Sequence, residues 1–482
     1  MKKLVFCAAL ALAGVPFILA QNLRTATLVG NVTDSSGATV ANASVTVVNV
    51  DTNVAARSKT NGEGAYYVPF LNVGNYRLTI EAPGFKKYDQ TGLVFNAGET
   101  PRIDVKLQVG AVSEEIRVTA QAALLQTDSA IVGGIATAKD IHDEPIPQSK
   151  PQHFMYYLEG AQANNDGSYH ILGQPESQMS YTLDGVTAKQ ALGKVLGDTN
   201  TLITPPVDTL QEAQVFTTGI PAEIGHSAGG AYNLTTKSGT NELHFSAEER
   251  YINKAWLHRQ KFNQGATNTP FEYHNFNTTL GGPIVIPKLY NGKNRTFFLL
   301  GWRLDYDHEQ NYATVSVPTQ DMLNGDFSFN GLGQPIYDPR TLTCGKASCA
   351  DGTGYSATAF AGKTIPKSRF DPVALKFLSL NPYNLPNLPS TFTATGPTNN
   401  YIAGNHFISD RQAYLGKIDQ TINDKQKVFV RYIWNKYRVI GSRENILFHW
   451  LDIDNTALAF GRPEPIDERN IALSHVFTIS PT

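Results

Sequence analysis

The stretch TFFLLGWRLDYD at residues 296–307 decides the fold of the second half of the chain. Its even positions from 298 to 306 are all apolar, whereas the odd positions 301, 303, 305 and 307 carry Gly, Arg, Asp and Asp. Successive side chains of a β-strand point to opposite faces. One face of this strand therefore suits lipid and the other a polar lumen, as in a transmembrane β-barrel. Trp302 and Tyr306 are placed to join an aromatic girdle on the lipid face.

Soluble β-sandwiches show the same alternation, so the lengths of the connections have to discriminate between the two folds. A second alternating stretch at 427–435 follows a short turn at 421–426, whereas residues 308–410 form one long connection. Such a connection is suspect inside a compact soluble domain, but barrels combine long outward loops with short periplasmic turns. We therefore predict six antiparallel barrel strands. They lie near 241–251, 272–282, 296–307, 411–420, 427–438 and 468–478, with periplasmic turns at 283–295 and 421–426 and outward segments at 252–271, 308–410 and 439–467.

Composition agrees with a mainly β protein. The 482 residues include 40 basic and 42 acidic side chains, and the resulting net charge of −2 argues against nucleic acid as a partner. Glycine, Tyr and Phe are abundant, at 40, 21 and 24 residues, which suits strands joined by turns. After the N-terminus no apolar run reaches the roughly 18 residues that a membrane helix needs.

Residues 1–20 have the features of a cleaved secretory signal peptide. Lys2 and Lys3 precede an apolar stretch that runs from Leu4 to Leu19, and Ala20 follows it. An uncleaved anchor helix is the alternative, but the apolar part is short and Pro16 interrupts it. The chain is therefore expected to be exported through the inner membrane.

Short strands with frequent turns predict a β-sandwich at residues 23–109. The segment resembles the carboxypeptidase regulatory-like domain, which has a carbohydrate-binding-like fold and no activity of its own. The resemblance rests on GNVTD (30–34), ANASV (41–45), TNGEGAY (60–66), GNYRL (74–78) and APGF (82–85).

Residues 126–238 are compact, polar and rich in glycine. YTLDGV at 181–186 and GGAYNLTTKSGTN at 229–241 resemble the plug domain of TonB-dependent receptors, in which such a run leads into the first barrel strand. IPKSRFDPVA at 365–374 and GKID at 416–419 resemble the Oar-like branch of that family. The fold is thus predicted as mainly β: a β-sandwich, an α+β plug, and an incomplete antiparallel transmembrane β-barrel at 239–482.

The linker at 110–125 contains EEIRVTA, residues 114–120, which alternates apolar and polar side chains and can add as a strand to a partner's sheet edge. In its position before a plug it resembles a TonB box, the segment that a TonB-type energy-transducing inner-membrane protein grips. The alternative is that this segment is the last strand of the sandwich, and both arrangements could occur at different times. The candidate box residues are Glu114, Glu115, Ile116, Val118, Thr119 and Ala120.

After the signal peptide the chain has two cysteines, Cys344 and Cys349, in a stretch rich in small residues. In an exported protein this spacing favours a loop disulfide. Two thiols without a nearby histidine are a poor zinc site, so we predict the disulfide.

No motif predicts an enzyme, a cofactor or a metal site. GHSAG at 225–229 matches the nucleophile elbow G-x-S-x-G, but that motif requires a helix after it and a strand signal follows instead. Asp184 precedes a glycine in a turn-like setting that explains it without catalysis. His142 lies only two residues before Glu144, too close for a pair of zinc ligands on one helix.

These resemblances imply a TonB-dependent transporter of the cell outer membrane, which binds lipid around its barrel. It would import an extracellular substrate, whether siderophore, carbohydrate or peptide. The alternative is a surface adhesion or matrix protein that binds carbohydrate or protein without transport. Plugged transporter barrels have about 22 strands, and an open sheet edge is not tolerated in lipid. The chain is therefore expected to be the N-terminal part of a longer protein.

Overall fold

The computed structural model describes residues 24–110, 115–119, 132–143, 160–163, 169–175, 178–188, 203–220, 224–225, 227, 229–253, 255, 271–329, 335–346, 350, 353–379, 385–393, 396–440 and 464–479. The predicted signal peptide at 1–20 lies outside these ranges.

The first eight strands form two facing sheets, which we call the sandwich. They are β1 Thr25–Asp34, β2 Ser44–Asn49, β3 Ala55–Lys59, β4 Ala65–Asn72, β5 Gly74–Glu81, β6 Lys87–Phe95, β7 Val105–Leu107 and β8 Glu115–Thr119. One sheet has the order β4-β1-β7 and the other β3-β2-β5-β6-β8. Alternate residues such as Val45 and Val47 are fully buried, because one face of each strand turns into the shared core. The predicted β-sandwich is confirmed, with β3 and β6 as strands that the sequence had not indicated.

A mixed sheet follows the sandwich. Its region contains β9 Val132–Thr137, β10 Ala161–Ala163, β11 Tyr169–Ile171, β12 Gln174–Pro175, β13 Ser180–Leu183, β14 Val186–Thr187, β15 Leu210–Thr218 and β16 Ala231–Thr236, together with helix α1 Ala138–Asp143 and a 3₁₀ turn Val207–Thr209. Five strands pair in the order β14-β13-β16-β15-β9, with β13 and β16 parallel. We call this sheet, with α1 and the 3₁₀ turn, the inner sheet.

The second half of the chain builds one antiparallel sheet, which we call the wall. Its strands, in order across the sheet, are β17 His244–Asn253, β18 Phe271–Pro283, β21 Thr296–Val315, β26 Tyr401–Asn423, β27 Gln426–Ile440 and β28 Glu464–Phe477. A small hairpin, β19 Val285–Ile286 with β20 Tyr290–Asn291, occupies the turn between β18 and β21. Within the described ranges the two edge strands β17 and β28 do not pair with each other. The predicted six antiparallel strands and the incomplete barrel are confirmed.

One predicted connection was too long. The outward segment was placed at 308–410, but β21 and β26 remain paired up to Val315 opposite Tyr401. The connection is therefore 316–400. Its described elements are α2 Gln320–Leu323, α3 Pro372–Leu378, β22 Thr343–Cys344, β23 Tyr355–Ser356, β24 Thr391–Thr393, β25 Gly396–Thr398 and 3₁₀ turns at Pro339–Thr341, Ala361–Lys363 and Lys367–Arg369.

Local sequence explains where α3 begins. The Asp371 side chain accepts the backbone N–H of Val373 and caps the helix, and Pro372 occupies the first helical position. Proline suits this position because its missing N–H would have no intrahelical partner there. Among the described residues no helix has the length and apolar character needed to cross a lipid bilayer.

Burial along the wall is inverted relative to a soluble protein. Arg303 and Asp305 are each only 3% exposed, whereas Leu300 is 49% and Trp302 is 37% exposed. A soluble sandwich would bury the apolar face instead. The wall therefore has the polarity of a membrane barrel, with its apolar face toward lipid and its charged face toward the interior.

Aromatic rings lie at one level of the exposed face. Trp302 is paired in register with Tyr414, and Tyr414 with Trp434. The rings of Tyr414 and Trp434 stack with 5.4 Å between their centroids, and Phe276 meets Trp302 edge-on at the same distance. This row across four strands corresponds to the girdle that outer-membrane barrels place at the lipid interface.

The inner sheet packs against the charged face of the wall. One apolar core contains Tyr181, Leu183 and Leu234 of the inner sheet together with Leu299, Leu415 and Ile433 of the wall. The sandwich has its own separate core. The joint between the inner sheet and the wall thus combines a small apolar contact with the polar residues described next.

Candidate functional site

Asp184 lies at a tight turn of the inner sheet, between β13 and β14. Leu183 pairs with Val186, so the hairpin loop has two residues. Both have positive φ, 51° at Asp184 and 77° at Gly185, which is the geometry of a type I′ turn and explains the Asp-Gly sequence. The turn holds the Asp184 carboxylate in a buried position against the wall.

The Asp184 carboxylate receives hydrogen bonds from both sides of the joint. Within the inner sheet, Thr236 donates its backbone N–H at 2.9 Å and its hydroxyl at 3.0 Å to Oδ1. From the wall, Arg431 Nη1 donates to Oδ2 at 2.7 Å. Both charged side chains are fully buried. A second guanidinium nitrogen of Arg431 donates to Asn470 Oδ1 at 2.6 Å, which anchors the arginine to the neighbouring wall strand.

Further charges extend this contact to the sandwich. Lys417 Nζ donates to the backbone oxygens of Thr236 and Lys237 at 3.2 and 2.9 Å, and it lies 3.6 Å from Asp419. Arg24, at the start of the sandwich, donates to Asp419 Oδ1 at 3.0 Å and stacks over the Phe429 ring. We call this group of five charged residues the charged junction: Arg24, Asp184, Lys417, Asp419 and Arg431.

The charged junction keeps Asp184 ionised. Burial alone would raise the pKa of Asp184, but the nearby positive charges of Lys417, Arg431 and Arg24 outweigh it and hold the pKa below its usual value. Removing charges from water is costly, so a buried ion pair contributes little net stability but strongly penalises any arrangement that separates the partners. The charged junction therefore fixes one docked position of the inner sheet on the wall.

A glycine in β21 allows the inner sheet to approach the wall closely. A Cβ atom added to Gly301 would lie 2.3 Å from Thr209 Cγ2. Thr209 belongs to the 3₁₀ turn Val207–Thr209, and its hydroxyl donates to the backbone oxygen of Pro206. The 3₁₀ turn thus packs where the interior face of β21 carries no side chain.

The sandwich also contacts the inner sheet directly. The backbone N–H of Ala97 donates to Glu212 Oε1 at 2.9 Å, and Gln214 Nε2 donates to the backbone oxygen of Ala97 at 2.7 Å. The other carboxyl oxygen of Glu212 is buried. Burial raises the pKa of Glu212 to about 8.

Raising the pH should loosen this contact. The pKa of Glu212 is higher in the folded protein than its ordinary value of 4.5. The contribution of the protonated Glu212 carboxyl to the free energy of unfolding is therefore complete below pH 4.5 and is lost as pH rises toward 8. We expect a loss of a few kcal/mol over that interval. Hydrogen exchange of Ala97 between pH 5 and 9, corrected for the intrinsic rate, measures it. Glu212→Gln should abolish the pH dependence, and a pH response that persists in this variant would contradict the assignment.

The structure places the candidate TonB box in the sandwich. Residues 115–119 form β8, which pairs in parallel with β6, and Glu114 and Ala120 lie outside the described residues. The exposed Arg117 is 3.7 Å from the buried Asp89 of β6. This is the arrangement expected if the segment is the last strand of the sandwich. Among the described strands, β8 is the end strand of its sheet, so its outer edge could accept a partner strand. That recognition stays a prediction.

The other residues singled out in the sequence are distributed over the molecule. Cys344 is in a disulfide, but Cys349 lies outside the described residues, so the Cys344–Cys349 pairing stays a prediction. Ser227 donates to the backbone oxygen of Gly230, and the chain continues directly into strand β16 at Ala231. Among the described residues after Ser227, the chain forms a strand at Ala231–Thr236 where a nucleophile elbow needs a helix.

Sequence reasoning missed the role of Asp184 in the charged junction. The turn was recognised, but its partners Thr236 and Arg431 are 52 and 247 residues further along the chain. The signals were the charged residues at interior positions of β26 and β27, among them Lys417 and Arg431, but both strands carry other polar residues, so these two did not stand out.

Comparison with known families gives two matches. The sequence profile described as an outer membrane beta barrel domain matches residues 235–482, and that of the carboxypeptidase regulatory-like domain matches residues 27–108. The TonB-dependent transporter Oar of Myxococcus xanthus is 24% identical over 323 residues, which cover 63% of this chain and 29% of that protein. The chain thus spans less than a third of the length of this relative.

The solved structures to which this chain is similar include two receptors. A mutant of the ferric enterobactin receptor PfeA from Pseudomonas aeruginosa superposes with a TM-score of 0.38 and 11% identity, covering 71% of this chain and 38% of that chain. The siderophore receptor PirA from Acinetobacter baumannii gives a TM-score of 0.38 and 12% identity, covering 71% and 37%.

Proposed function

The chain belongs to the outer membrane beta barrel domain family, which places it in the cell outer membrane, and from this premise we propose that it works as a TonB-dependent transporter. In this proposal the wall is part of the barrel and the inner sheet is the plug. The substrate enters from outside, and a TonB-type protein of the inner membrane supplies the force that moves the plug. The chain performs no chemistry on the substrate.

The charged junction is the observation that carries the proposal. A gate needs a closed arrangement that is well defined and an open arrangement that remains accessible. Buried charges meet both needs: they penalise small displacements strongly, and each charged group regains water once the joint has opened. Asp184 and Arg431 lie on opposite sides of this joint, so plug movement separates them.

The path of force runs through the candidate TonB box. Residues 120–131 connect β8 to β9, and a fully extended chain of this length spans about 40 Å. Strand β9 is an edge strand of the inner sheet and pairs only with β15 among the described strands. Once β8 has separated from β6, a pull on it would strip β9 from the inner sheet, because an edge strand has one set of ladder hydrogen bonds to break.

A proline in the candidate TonB box should abolish uptake. Val118→Pro removes a backbone N–H that strand addition requires, whereas Arg117→Ala keeps the backbone intact and serves as the matched control. The variants are made in the complete natural product. Cells with and without the wild-type protein are first compared for small molecules depleted from the medium, and those molecules are then followed in the variants. Outer-membrane levels are checked by immunoblot.

We expect Val118→Pro to stop depletion and Arg117→Ala to leave it near wild type. Depletion that continues unchanged in Val118→Pro at equal protein levels would contradict TonB-driven import. If loss of the protein instead reduces cell attachment and neither variant alters it, an adhesion role takes precedence.

A further inference from the structure

Three side chains with metal-binding atoms meet on the interior side of the wall, away from the charged junction. They are His142 from the last turn of α1, Asp208 from the 3₁₀ turn and Glu248 from β17, and their ligand atoms all lie within 4.8 Å of one another. We propose that His142, Asp208 and Glu248 bind one divalent transition-metal ion of the zinc type. This site is independent of the proposed transport function.

The distances are close to those of a formed site. Zinc binds imidazole nitrogen and carboxylate oxygen at about 2.0–2.2 Å, so two ligands of one ion are separated by at most about 4.2 Å. Nδ1 of His142 and Oε2 of Glu248 are 3.8 Å apart. A shift of roughly half an ångström closes the widest separation, and the His142 side chain is 62% exposed and free to make it.

The donor set also suits such an ion. One imidazole and two carboxylates give a neutral nitrogen and two anionic oxygens, and three protein ligands leave a fourth position for water. Nitrogen and oxygen donors together favour zinc and its neighbours over calcium or magnesium, which prefer oxygen alone.

Arg250 orients two members of the cluster through hydrogen bonds, as residues that contact metal ligands often do. Its guanidinium pairs with Oε1 of Glu248, which leaves Oε2 directed toward His142. The same guanidinium donates to the backbone oxygen of His142 at 3.3 Å, so it also holds the end of α1 next to β17.

Asp208 supplies the reason to expect a cation rather than a closed ion-pair network. The Asp208 carboxylate is half-buried and accepts no hydrogen bond from any described residue. It lies close to the other carboxylate of the cluster, that of Glu248. Lys237 is nearby but is not within ion-pair distance of it. An ion bound between the two carboxylates would neutralise both and would tie α1 and the 3₁₀ turn to the first wall strand.

Zinc binding to the whole chain tests the proposal. Protein without a histidine tag is purified in detergent, stripped with a chelator and dialysed against zinc chloride, and bound zinc is measured by mass spectrometry of the metal. We expect about one zinc per chain. Cobalt(II) should bind at the same site and give visible d–d absorption, which reports ligand geometry directly.

The variants separate a metal site from an ion-pair network. His142→Ala and the nearly isosteric Asp208→Asn should each weaken zinc binding at least tenfold, the lower end of what even an outer-shell change costs. His475→Ala removes an exposed imidazole from β28 and should leave binding unchanged. No zinc on the wild type, or equal zinc on His142→Ala, would overturn the proposal and leave the three side chains as an ion-pair network around Arg250.

Discussion

Arg431→Met is expected to weaken the docking of the inner sheet on the wall by about 3–5 kcal/mol, because removal of one partner leaves the buried Asp184 carboxylate without its counter-ion. Two other cations are nearby, but Lys417 pairs with Asp419 and with backbone oxygens of the inner sheet, and Arg24 also pairs with Asp419. Hydrogen exchange of β13 and β16 measures the loss. Since each 1.4 kcal/mol is tenfold in an equilibrium constant, protection should fall by roughly two to three and a half orders of magnitude.

A matched control lies on the same strand. Arg438 also pairs with an aspartate, Asp410, at the same distance of 2.7 Å, but its side chain is 55% exposed. Arg438→Met should therefore cost no more than about 1 kcal/mol, as exposed pairs generally do. Equal effects of the two substitutions would show that burial of the charged junction does not matter.

The double variant Asp184→Leu with Arg431→Met tests the energetic account further. Replacing both partners of a buried pair by apolar groups of similar volume is often neutral or stabilising. We expect protection of β13 and β16 to recover most of the loss. In the proposed transporter, this recovered protein should dock its plug but open it poorly, because an apolar joint gains no hydration when it separates.

The fold was predictable wherever the alternation of side chains was strong. Residues 296–307 and 427–435 identified wall strands because lipid and lumen impose opposite demands on the two faces. Strand β21 continues at 308–315 and its partner β26 already begins at 401, and in both of these stretches the alternation fades. Pairing in these stretches continues the register that β21 and β26 share from Thr296 opposite Gln420 onward. The local sequence does not reveal how far that pairing extends.

The candidate sites were predictable only in part, for a related reason. Asp184 was recognised as a turn residue because turn chemistry depends on the adjacent glycine, but its function depends on Arg431, which the fold brings close. His142 was rejected as a metal ligand on its spacing from Glu144. Its partners in the structure, Asp208 and Glu248, come from two other elements and share no local spacing pattern.

Leu300→Arg should destabilise the wall from its outer face. Leu300 is 49% exposed on the apolar face of β21, and arginine on the lipid face of a barrel costs about 2–4 kcal/mol at the bilayer midplane and less toward the interface, where Trp302 lies. The complete protein is refolded into phosphatidylcholine vesicles from urea, and the fraction folded is followed by its resistance to protease. The folding midpoint should move to lower urea concentration.

The same substitution at Leu342 isolates the effect of lipid. Leu342 is 53% exposed, but it lies in the outward segment 316–400, where its surroundings are water. Leu342→Arg should change stability by no more than about 0.5 kcal/mol, as surface substitutions usually do. Two leucines of similar exposure would then differ mainly in the solvent that covers them. Similar small effects at both positions would mean that the apolar face of the wall meets water. That result would contradict the assignment of this face to lipid.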